Sequence, residues 1–147
     1  MLARAAVAGM TVVGALALMA TPAQAAGTVK LLKTQYDSPG SDDRSNSSLN
    51  AEWMVVKNTN PEAVSLRGWT LRDASGHTYT FRSLTLGAGE TVRVHTGSGR
   101  DTSSHVYWGS GNYVWNNTSD RAELRRPTGT LKDTCTWSTS DDGYVAC

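Results

Sequence analysis

Short runs of alternating apolar and polar residues recur along the chain from Thr28 onward, separated by clusters of Gly, Pro, Asn, Asp and Ser. TVKLLKTQY at residues 28–36 reads as a first strand. WMVVKNT at residues 53–59 is apolar on both parities. Met54 and Val56 share one face and Trp53 and Val55 the other, the pattern of a central strand covered on both sides. In VSLRGWTLRD, Val64 and Leu66 are followed by Trp69 and Leu71, so the parity switches at Gly68 and a bulge or bend is expected there. Tyr79 and Phe81 share a face in HTYTF, after a tight turn at ASG. Val92 and Val94 point inward in TVRVH with Arg93 and His95 outward, and RAELRR turns Ala122 and Leu124 inward. TGTLKDTCTW supplies a closing strand. No stretch beyond the N-terminal segment sustains helical spacing. The pattern predicts an all-β sandwich with Met54, Val56, Trp69, Leu71, Phe81, Val92, Val94, Ala122 and Leu124 inside.

The N-terminal segment has a different character. Arg4, an apolar run from Ala5 to Ala20 and the small-residue triplet Ala23-Gln24-Ala25 follow the order of a secretory signal peptide. The run is shorter than the roughly 20 residues a spanning helix needs. Cleavage is expected after Ala25, leaving one domain over residues 26–147, secreted to the medium or cell wall. Nothing later is apolar enough to span a membrane. Setting Arg4 aside, thirteen of the fourteen Lys and Arg remain against thirteen Asp and Glu. This balance argues against a nucleic-acid partner, which would favour a basic excess. The even pair Cys135 and Cys147 reads as a disulfide in an exported chain.

The polar stretch NYVWNNTSDRAELRRPTG at residues 112–129 raises the question of a site. Asn116 to Asp120 are turn formers, and Asp120 is expected to accept backbone amides or pair with an Arg, so a turn delivering a strand explains them. Arg121, Arg125 and Arg126, with Arg93 nearby, would form at most a small basic patch, and Glu123 between Arg121 and Arg125 suggests pairing instead. His77, His95 and His105 show no metal-chelating spacing, and no G-x-S-x-G occurs. No cofactor is indicated. Residues 37–52 form a long polar loop in which Asp37, Asp42 and Asp43 are the candidate calcium ligands, with a solvated loop as the competing reading. The aromatic segment Tyr107, Trp108, Tyr113 and Trp115 is the candidate ligand surface, suited to stacking on sugars, against the alternative that these rings cap the core.

Taken in order, several of these strings resemble the lamin-tail domain. The likeness runs from Glu52-Trp53 to Asn58, through Gly68-Trp69 and Leu71-Arg72-Asp73, to the hairpin Gly76 to Phe81. It continues through Leu86 to Val94, Trp115 to Leu124 and Gly129 to Asp133, covering roughly residues 28–133. Val55 departs from it, standing where many members carry a polar residue, which bears on whether that strand's outer face is exposed. The resemblance implies an immunoglobulin-like β-sandwich of Greek-key type. It also implies non-catalytic binding or scaffolding toward an extracellular protein or cell-wall polymer. It assigns no ligand. The alternatives are a carbohydrate-binding module using the four aromatics and a small secreted hydrolase. Exposed, coplanar rings would favour the first; His95 or His105 within about 3 Å of a Ser or Asp would favour the second.

Overall fold

The computed structural model describes residues 27–147, and the expected signal segment at residues 1–25 lies outside them. The strands are β1 (Val29–Gln35), β2 (Trp53–Asn58), β3 (Val64–Ser65), β4 (Thr70–Arg72), β5 (Thr78–Thr80) and β6 (Thr85–Leu86), followed by β7 (Thr91–His95), β8 (His105–Tyr107), β9 (Asp120–Arg125), β10 (Leu131–Trp137) and β11 (Tyr144–Ala146), with one short helix, α1 (Asn46–Ala51). One sheet runs β11-β1-β2-β7-β8 and the other β10-β9-β4-β5, with β3 and β6 forming a small ribbon. The fold is an all-β, immunoglobulin-like sandwich.

Period-two burial explains the layers. Every inward residue expected from the alternation is buried, Met54, Val56, Leu71, Val92, Ala122 and Leu124 completely. β2 lies between β1 and β7, as a strand apolar on both parities should. Val55 on its outer side is buried at 4 % exposure, and Arg93 lies 4.1 Å from the centroid of the Trp53 ring. The departure at Val55 therefore marks a covered outer face. Gly68 is a left-handed turn position (φ 80°) rather than a bulge inside a strand; its N–H donates to Phe81 O, and Trp69 restarts the sheet as the parity switches.

The loop at residues 37–52 differs from the expectation. It carries α1, whose N-cap Ser45 accepts from the Ser48 amide and whose one buried residue is Leu49. A helix of this length with one inward residue has no periodicity to detect. Asn58, fully buried at the end of β2, fixes the neighbouring turns through Nδ2, which donates to the carbonyls of Glu62, Leu86 and Gly87. Cys135 on β10 is bonded to Cys147, which follows β11 on the opposite sheet, so the bridge ties the two layers together.

Closing a loop of this size stabilises by roughly 3 kcal/mol in the chain-entropy account. The double substitution Cys135→Ala/Cys147→Ala is therefore expected to lower the unfolding free energy by about 2–4 kcal/mol, read from urea denaturation. An unchanged midpoint would show that the bridge adds nothing to the sandwich.

Candidate functional site

Glu52, the residue between α1 and β2, is fully buried. Its Oε1 accepts from Thr96 Oγ1 at 2.6 Å, from the Val114 amide at 2.9 Å and from the Trp115 amide at 3.3 Å. Oε2 has no partner among the described residues. Burial pushes the carboxyl up to about 7, against the opposing pull of these three donors. One side chain thus joins the start of β2, the exit from β7 and the aromatic segment between β8 and β9.

That anchorage decides what the aromatics do. Trp115 is 3 % exposed and meets Trp108 and Trp137 edge-on at 5.7–5.8 Å. Trp137 stacks on Tyr36 at 4.9 Å and sends its indole N–H to Asn116 O. Tyr113 is half-buried, its hydroxyl 2.6 Å from Ser48 Oγ. Trp115 thus belongs to the core and Tyr113 is tied to the α1 loop, whereas Tyr107 and Trp108, both half-buried, line an open groove. Tyr107 is itself confined. His95 stacks on it at 5.0 Å, and a Cβ on Gly99 would fall 2.5 Å from its ring. The four rings do not form one coplanar platform.

Tyr107 and Trp108 line an open groove of about 650 Å³ on the side of the sandwich where β5 and β8 end the two sheets. Tyr79, Arg82, Arg100 and Asp101 complete its walls. The Tyr79 hydroxyl is pushed up to about 12 by burial and then by the Asp101 carboxylate, with Arg82 opposing, so it remains a neutral phenol. Arg82 and Arg100 form no ion pair among the described residues. The groove's second wall is held from below by α1. Asn46 and Asn50 donate to Ser98 O at 3.0 and 2.9 Å, and the Ser98 amide returns to Asn46 Oδ1. A Cβ on Gly97 would meet Asn50 Oδ1 at 2.5 Å, so the Gly-Ser-Gly segment is a clamped close approach rather than a loose turn. Asp101 Oδ1 accepts the Tyr107 amide, and Thr102 exchanges hydrogen bonds with His105, which closes the outer edge of β8.

The remaining candidates lie elsewhere. His95 and His105 share an Nε2–Nδ1 contact of 2.8 Å, and His95 Nδ1 bonds Asn50 O, so neither ring is set against a Ser or Asp. Burial holds His95 below the usual imidazole range. His77 pairs with buried Asp73 at 2.6 Å as a hairpin brace. Asp37 accepts from Asn117, Asp42 from Ser38 and Asp43 from the Ser45 amide, three separate uses. The described residues bring together no group of three His, Cys, Asp or Glu able to hold a metal ion. Asp120 accepts the amides of Ala74, Asn116 and Arg121, as a turn reading requires. Arg121 and Arg125 both pair with Glu123, and Arg93 stands in the other sheet, so the small basic patch does not form.

The family model described as Lamin Tail Domain matches residues 22–139. The chain belongs to the lamin-tail domain family. No curated protein matches it at a significant level. Of the residues lining the groove of this lamin-tail domain, the aromatic density of the sequence singles out Tyr107 and Trp108, whereas nothing in it singles out Arg82, Arg100 and Asp101. Those three lie in polar segments that read as ordinary loops. An acidic residue followed by an apolar central strand was the available signal for Glu52.

The raised Glu52 carboxyl has a consequence for stability. A carboxyl whose folded pKa exceeds its unfolded value contributes fully below about 4.5 and loses that contribution as pH rises to about 7. The gap corresponds to roughly 2–4 kcal/mol. Glu52→Gln does not titrate, so unfolding free energies of the two proteins are expected to diverge between those pH values, wild type falling relative to the variant. Parallel curves would contradict the assignment.

Proposed function

We propose that this lamin-tail domain acts outside the cell as a non-catalytic binding or scaffolding module, with the groove between β5 and β8 as its contact surface. The observation that carries the reading is the pair of guanidiniums, Arg82 and Arg100, that have no ion-pair partner among the described residues and stand beside Tyr107 and Trp108. Arg and aromatic side chains concentrate binding energy at interfaces, the rings because they bury large area with few rotatable bonds and the guanidinium because it is weakly hydrated and holds its donors in a fixed fork. The groove walls are built on sheet edges and on the α1 clamp, so the surface is formed before a partner arrives. The Cys135–Cys147 bridge supports an oxidising, extracellular setting. The described residues contain no helix long and apolar enough to cross a membrane.

Arg82 and Arg100 are the residues to substitute. Trp108 packs on Tyr79 and Trp115, so its removal would mix binding with stability. Purified protein is immobilised and exposed to the secreted proteins and solubilised cell-wall polymer of the producing cells, beside Arg82→Ala/Arg100→Ala. The wild type is expected to retain a partner. The variant should retain it at least about tenfold less tightly at unchanged Tm, since exposed substitutions rarely shift stability by more than about 0.5 kcal/mol. Equal retention by both proteins would remove the groove as the contact surface. Turnover of an ester, phosphate or glycoside probe, lost in His77→Ala, would contradict a non-catalytic role.

A further inference from the structure

The wall of the groove formed by β5 is an open sheet edge. In the β4–β5 hairpin the Asp73 amide donates to His77 O and the Phe81 amide to Trp69 O, with Leu71 opposite Tyr79 between them. Hydrogen-bonded pairs alternate along an antiparallel ladder. Tyr79 therefore turns its backbone N–H and C=O toward β4, whereas Thr78 and Thr80 turn theirs away from the sheet and along the groove. β5 is the last strand of its sheet. The facing strand, β8, is treated differently: Asp101 and Thr102 of its own chain occupy its outer edge. Among the described residues, one edge bordering the groove is covered and the other is free.

The chemistry around that free edge selects an occupant. Arg82 shares the outward parity of Thr78 and Thr80, and Arg100 stands on the opposite wall. Asp101 is the lining acid, and one of its oxygens already holds the Tyr107 amide. The unpaired charge facing an incoming chain is positive. Flat sugar stacking is the weaker fit, because Tyr107 has His95 on its ring and Gly99 close beside it, while Trp108 lies tilted on Tyr79 at 44°.

We propose that β5 accepts an extended, acidic peptide segment of a partner protein as an added strand. Thr78 and Thr80 supply the backbone hydrogen bonds, and Arg82 and Arg100 receive the carboxylates. Alternate residues of the added strand face opposite ways, so acidic positions lie beside Arg82 and the intervening apolar positions turn toward Trp108. The inference rests on the groove being the binding surface and specifies what enters it.

The test uses a capped peptide alternating Glu and Val, its Lys-for-Glu counterpart, and a version N-methylated on the residues that would bond to Thr78 and Thr80. Polygalacturonate serves as an anionic glycan control. The expected result is binding of the Glu peptide with slowed amide exchange at Thr78 and Thr80. Affinity should fall at least about tenfold on N-methylation and on Lys replacement, and Arg82→Glu/Arg100→Glu should invert the charge preference. Equal binding of the N-methylated peptide, or no binding of any peptide, would overturn strand addition. Binding of polygalacturonate that depends on Arg82 and Arg100, with the peptides inert, would overturn strand addition while leaving the groove as the binding surface. Partner retention insensitive to both arginines would instead remove the groove itself.

Discussion

The buried carboxylate of Glu52 is the contact on which the site depends. A lone charge inside a sandwich is costly, and three donors on one oxygen offset only part of that cost, as the raised carboxyl shows. What the arrangement provides is position. Val114 and Trp115 belong to a segment without regular strand pairing, and their amides end on Glu52 instead of on a neighbouring strand. With Trp115 fixed, Trp108 has a wall to lean on, and the row Tyr36, Trp137, Trp115, Trp108 and Tyr79 runs through the interior to the groove. Three of the chain's five Trp residues stand in this row.

A second polar device fixes the opposite wall. The asparagines of α1 grip Ser98 where two glycines let the backbone approach closely. Asp101 and Thr102 then fold over β8. The groove is thus a by-product of two segments held by side chains rather than by sheet pairing.

The sheets were readable from alternation because each strand has one face in the core and burial imposes period two. Met54, Val56, Val92 and Val94 need no other signal. The turn at Asp120 was readable as well, since Asn and Asp hold nearby amides by local rules. α1 was not, having a single inward residue. Nor was the groove. Arg82, Arg100 and Asp101 come from separate polar segments whose meeting is a matter of tertiary geometry, and an unpaired arginine looks like any other in sequence. The density of aromatics drew attention to four rings, of which Trp115 is buried, Tyr113 is tied to Ser48 and Tyr107 and Trp108 line the groove. Which ring faces solvent depends on Glu52 and Gly99, contacts distant along the chain.

The most direct test of this account is amide hydrogen exchange at Val114 and Trp115, followed in the folded protein. If both end on the buried Glu52 carboxylate, they exchange as slowly as the amides of β2 and β7, because opening them requires the sandwich to open. Exchange at the rate of the exposed loop around Asn116–Ser119 would show that the carboxylate does not hold this segment, and with it the support for the groove would be lost.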